Sequence, residues 1–186
     1  MRSCIAKIPN ATLLFLGQIL GNLLYYIAVP QRRIVRRNLL FSLDESAPQQ
    51  IRSMMRRIFQ HFGITILELL QMTCLSEQGL VSKVHIEGKE ILIEAIAKQK
   101  GIVLITAHLG NYEVAAQAVP CLLGQQMSVV AKKMRNVRLN RFFHNLRTRF
   151  GNRVIYKKGA LPEMMQTLRQ GKMVAILMDI SRRFDG

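Results

Sequence analysis

The stretch Ile102-Val103-Leu104-Ile105-Thr106-Ala107-His108-Leu109-Gly110-Asn111-Tyr112-Glu113 decides how this chain is read. A short run rich in β-branched residues reads as a buried strand, here the central one of a sheet. It delivers a histidine to its carboxyl end, and a glutamate follows five positions later. On a continuous helix two residues five apart point about 140° away from each other, so His108 and Glu113 meet only across a turn. Gly110 and Asn111 are residue types that make such a turn, and Glu113 then falls in the first turn of the next helix. Imidazole titrates nearest neutrality, and a carboxylate on its second nitrogen would fix the tautomer and stabilise the imidazolium. The pattern predicts His108 as a general base toward a hydroxyl and Glu113 as its orienter.

The spacing has an internal control. His85 and Glu90 repeat His-x-x-x-x-Glu, but Lys83-Val84-His85-Ile86-Glu87 alternates polar and apolar residues and predicts a short surface strand near Val84–Ile86.

Outward from this stretch, helical and strand periodicities alternate. Helices are expected over Glu90–Gln99, Val137–Phe150 and Leu161–Arg169, with strands at Ser128–Ala131, Arg153–Tyr156 and Met173–Met178. This order predicts an α/β domain with a largely parallel sheet flanked by helices. Ligands of such sheets bind beyond the carboxyl ends of the strands. His108, Lys132 with Lys133, Lys157 with Lys158, and Asp179 each follow one strand, which gathers a base and several cations on one edge. Lys132, Arg135 and Lys158 are therefore expected near an anionic substrate, with Gly110 and Asn111 shaping the turn. Asp179 is expected to orient a basic group or substrate, or to cap its strand. In the middle helix Leu139, Phe142, Phe143, Leu146 and Phe150 mark one face.

The 186 residues carry a net charge of +16. No acidic residue lies between Glu113 and Glu163, where ten lysines and arginines fall. Such one-signed patterning calls for an anionic partner. Nucleic acid is disfavoured because aromatics are few, tryptophan is absent and no reading module is present. Cys4, Cys74 and Cys121 are odd in number and far apart, which predicts free thiols. There is no metal-ligand spacing and no phosphate or dinucleotide loop, so neither metal nor cofactor is expected.

The N-terminus points to a membrane. No charge falls between Lys7 and Arg32, and Ala11–Val29 would span about 28 Å as a helix, close to the hydrocarbon thickness. A spanning helix, an interfacial helix and a core helix all fit this length. Arg32, Arg33, Arg36 and Arg37 outweigh Arg2 and Lys7, placing the following region in the cytoplasm. Ser46-Ala47-Pro48-Gln49 reads as a capped helix start, followed by a stripe of Ile51, Met54, Met55, Ile58, Phe62 and Leu69 that suits a core or a membrane face. Two regions result: an anchor with a basic junction over 1–45, and an α/β domain over 46–186.

From Val84 to Glu113 the chain resembles the bacterial lipid A biosynthesis acyltransferases of lauroyl/myristoyl type, within the lysophospholipid acyltransferase superfamily. The family's His-x4-Asp/Glu motif falls on His108 and Glu113 and its aromatic on Tyr112. Its basic Asn-Leu segment falls on Arg36-Arg37-Asn38-Leu39, an asparagine on Asn136, and a strand-ending aspartate on Asp179. Lys132 stands where the family usually has arginine and Ile180 where it usually has glutamine. The chain stops at Gly186 where the family continues, so the resemblance implies a C-terminally truncated sequence.

The resemblance implies a glycerolipid acyltransferase-like domain behind a membrane-anchor helix. It also implies a membrane-bound acyltransferase at the bacterial inner membrane, facing the cytoplasm and serving lipopolysaccharide biosynthesis. Its donor would be an acyl carrier protein thioester and its acceptor the anionic glycolipid precursor of lipid A. Another glycolipid or a lysophospholipid as acceptor, coenzyme A as donor carrier, and an inactive membrane-binding fragment are the alternatives.

Overall fold

A computed structural model describes residues 6–43 and 48–179, and the expected Ser46 cap lies outside them. Two compact units are formed, Met1–Cys74 and Leu75–Gly186. Packing thus groups residues 48–74 with the N-terminal helices rather than with the α/β domain.

The first unit is helical: α1 (Asn10–Ile27), α2 (Val29–Ser42) and α3 (Pro48–Met72). The expected single helix over Ala11–Val29 ends at Ile27, because Pro30 lacks an N–H and its ring collides with the carbonyl four residues back. Ala28 leaves the helical region and α2 restarts with the proline in its first turn. Helices α1 and α3 pack along their length. Gly17 and Gly21 face Gly63 so closely that a Cβ on any of the three would overlap the backbone of the opposing helix. Gln60 donates to Asn22 across the same seam at 3.1 Å.

The buried stripe of α3 is Ile51, Met55, Phe59 and Gly63, at strict i, i+4 spacing. The expected stripe mixed two faces: Ile51 and Met55 are core, whereas Met54, Ile58 and Phe62 are exposed. Helix α1 is long and apolar enough to cross a membrane, and only 22 % of it is buried within the protein. Its outward Phe15, Ile19, Leu23 and Ile27 remain uncovered.

The second unit runs α4 (Glu77–Val81), α5 (Lys89–Ala97), β1 (Ile102–Thr106), α6 (Tyr112–Leu123), β2 (Met127–Ala131), α7 (Val137–Thr148), β3 (Arg153–Tyr156), α8 (Ala160–Arg169) and β4 (Met173–Leu177). Among the described residues the sheet has four strands, all parallel, in the order β1-β4-β2-β3. Met127 and Val129 of β2 and Met173 and Ala175 of β4 form the core of one face, covered by Leu92 and Ile96 of α5 and Ala116 and Val119 of α6. Helix α8 packs against β2, β3 and β4.

Among the described strands Ile102–Thr106 lies at the edge of the sheet rather than at its centre. Strand β4 takes the central place, with Val174 at 0 % exposure, while Ile105 of β1 is 68 % exposed. An unbroken apolar run signals burial on both faces, but here the outer face of β1 carries Val103 and Ile105 into the open. Residues 84–86 form no strand, and His85 is exposed. Their alternation is an extended connection without a ladder partner among the described strands.

Candidate active site

The parallel sheet brings the carboxyl ends of all four strands to one edge. His108 lies two residues beyond β1 and Asp179 two beyond β4, the neighbouring strand. His108 Nδ1 and Asp179 Oδ1 are 2.7 Å apart. The backbone N–H of His108 donates to the other carboxylate oxygen at 2.8 Å. These two bonds lock imidazole and carboxylate together and hold the Asp179 carboxyl below the usual carboxylate range. With Nδ1–H donating to Asp179, Nε2 carries the ring's lone pair and has no partner among the described residues. Tyr112 meets the ring edge-on, with centroids 4.8 Å apart.

Glu113 does not orient His108 as the spacing predicts. Its side chain is buried, with the residue at 4 % exposure, and receives a fork from Arg147 of α7. Arg147 Nε donates at 3.0 and 3.2 Å to the two carboxylate oxygens, and the terminal nitrogen donates to Oε1. Burial pushes the Arg147 guanidinium down, but the Glu113 carboxylate outweighs it and the net shift is upward. Burial, then the Glu113 charge, raises the Tyr112 hydroxyl. This pair fastens the first turn of α6, next to the motif loop, to α7.

In the sequence Arg147 is one of the ten lysines and arginines of the cationic run, and nothing there pairs it with Glu113. Its signal was its phase: it sits four residues after Phe143 and beside Leu146, on the buried side of α7. The guanidinium lies 5.4 Å from the centroid of the Phe143 ring. Leu139 and Phe142, expected on the same apolar face, are exposed.

The turn between β1 and α6 is built as its residues require. Gly110 adopts φ +58°, a left-handed conformation that costs other residues energy. Asn111 caps α6 by accepting from the Val114 N–H at 3.3 Å. Asn136 similarly caps α7, accepting from Arg138 and Leu139, so its geometry is that of a helix cap. Asn140 accepts from the Met134 N–H at 2.9 Å and donates to the Tyr156 hydroxyl at 3.2 Å. These bonds fix the loop that carries Lys132, Lys133 and Arg135, all exposed. At roughly 4.8 Å per strand, the end of β2 with Lys132 lies about 10 Å along the edge from β1. The end of β3, with exposed Lys157 and Lys158, lies about 14 Å away. Beside the dyad stand Leu109 and Met178, both strongly exposed. The edge therefore combines a histidine–aspartate pair, an apolar flank and an arc of cations.

Comparison with curated protein sequences gave no match. A family model described as bacterial lipid A biosynthesis acyltransferase matches residues 1–182, nearly the whole chain. The chain belongs to the bacterial lipid A biosynthesis acyltransferase family, and so to the acyltransferases that join an acyl donor to a lipid acceptor.

Proposed function

We propose that the protein transfers a fatty acyl chain from an acyl carrier protein thioester to a hydroxyl of a lipid A precursor, with His108 as general base. The observation that carries this reading is the His108–Asp179 pair, which leaves Nε2 as the available nitrogen at the carboxyl edge of the sheet. Nε2 takes the proton as the acceptor oxygen attacks the thioester carbonyl. The new ester C–O bond forms, the C–S bond breaks, and the proton passes from the imidazolium to the departing thiolate. Asp179 stabilises the imidazolium between these steps. General-base assistance of this kind contributes about 10²–10⁴ in rate.

The remaining residues take supporting roles. Val103, Ile105, Leu109 and Met178 offer exposed apolar surface for the acyl chain. Lys132, Arg135 and Lys158 face the acceptor's phosphates or the acidic carrier. Gly110, Asn111 and Asn136 hold the two loops, and Glu113 holds α6 against α7 through Arg147. The apolar α1 anchors the chain in the inner membrane, and the arginines of α2 keep the catalytic region on the cytoplasmic side.

The test is transfer by purified protein in lipid vesicles, offering the same acyl chain on acyl carrier protein or on coenzyme A and a lipid A precursor or a lysophospholipid as acceptor. The expected product is the acylated lipid A precursor, formed from the carrier-protein thioester in preference to coenzyme A. Transfer only to lysophospholipid, or only from coenzyme A, would overturn the assignment.

A further inference from the structure

The helical unit contains a cationic feature of its own. Tyr25, Tyr26, Arg32, Arg36, Ile51, Arg52, Met55 and Arg56 enclose a cleft of about 420 Å³ where the end of α1 meets α2 and α3. The floor is apolar, since Tyr25, Ile51 and Met55 are buried. Two of the four arginines are set in place. Arg32 donates to the Tyr25 carbonyl at 3.1 Å and stands 5.1 Å from the Tyr25 ring centroid. Arg56 donates to the Tyr26 hydroxyl at 3.0 Å and stands 5.7 Å from the same centroid. Arg36 and Arg52 are exposed and have no ionic partner among the described residues.

Four guanidinium groups gathered with no carboxylate beside them among the described residues repel one another. Glu68, the described acid of this unit, follows Arg56 by twelve residues, about 18 Å further along α3; Asp44 and Glu45 lie outside the described residues. An arrangement of this kind is satisfied by an external anion, and the planar fork of arginine suits phosphate oxygens. The cleft's position names the source. It lies at the last turn of α1, which is apolar enough to enter a bilayer, beside the exposed Tyr26. Tyrosine and arginine concentrate at that depth, where headgroups lie.

We propose that this cleft binds the phosphate of an anionic lipid headgroup. The same chemistry would accept free phosphate, so the experiment separates the two. The intact protein in micelles of an uncharged detergent is titrated calorimetrically with short-chain phosphatidic acid, with short-chain phosphatidylcholine and with inorganic phosphate. Binding of phosphatidic acid is expected. R36Q/R52Q should weaken it about 100-fold, from the loss of two charge-assisted contacts. R33Q/R37Q, which removes equal charge from α2 outside the cleft, should change it little.

R36K/R52K should recover part of the loss, because the charge returns without the fork. Equal losses in the two glutamine pairs would overturn the proposal by showing diffuse attraction. Failure of the lysine pair to bind better than R36Q/R52Q would overturn it by showing a collapsed unit. Inorganic phosphate binding as tightly as phosphatidic acid, or phosphatidylcholine doing so, would refute the anionic-lipid assignment.

Discussion

Glu113→Ala and His108→Ala are expected to fail in different ways, because the two side chains have different partners. Removing the Glu113 carboxylate strands Arg147, whose side chain is only 16 % exposed, without the group it was folded around. Breaking a buried ion pair by deleting one member costs about 3–5 kcal/mol. For a unit of roughly this size each kcal/mol lowers the melting temperature by about 4 °C or more, so a fall of at least about 10 °C is expected. The assay is thermal unfolding in detergent, followed by the helical signal, with acyl transfer measured well below the new midpoint. Replacing both partners with apolar residues of similar volume, Glu113→Leu with Arg147→Met, should recover much of the lost stability, since no buried charge is left over. An unchanged melting temperature in Glu113→Ala, with transfer abolished, would refute this reasoning and return Glu113 to the role of His108's orienter.

Asp179→Asn should lower transfer by on the order of 10²–10⁴ while leaving the melting temperature near that of the wild type, because the pair is solvent-exposed, each side chain at 36 %; steady-state rates and a melting curve check this. The Asp179 carboxyl titrates below its ordinary value of about 3.9, so the His108 contact should be complete above that pH and be lost only as pH falls through the depressed value. Ring-proton chemical shifts of His108, compared with those of Asp179→Asn, would show it. Gly63→Val should drive α1 from α3 and destabilise the helical unit by about 1–3 kcal/mol or more, read as a lower unfolding midpoint of that unit. If α1 enters the bilayer, the protein should stay with membranes through a high-salt wash, since apolar burial is not screened; release by salt would show attachment through charge alone.

Much of this architecture was legible because parallel strands announce themselves as short apolar runs and the helices between them keep a 3.6-residue period. Strands β2 and β3 and helix α8 fall within a residue of where the pattern puts them. What the pattern lacks is neighbourhood. The run Ile102–Thr106 reads the same at the edge of a sheet as at its centre, and only the strand order shows that Ile105 is uncovered. His108 finds its partner 71 residues away because β1 and β4 are adjacent in space. A carboxylate five residues from a histidine is a conspicuous local signal, but burial beside Arg147 decides what Glu113 touches. The same holds at α7, where the hydrophobic stripe was visible and the arginine set among it was not.

In the proposed reaction His108 removes the acceptor's proton through Nε2 while Asp179 holds the ring. The most direct measurement is acyl transfer to a lipid A precursor by His108→Ala, with His85→Ala as the matched control. A fall of about 10²–10⁴ in turnover at unchanged melting temperature, with His85→Ala near wild type, is the predicted result. Wild-type turnover by His108→Ala, or equal losses at the two histidines, would contradict it.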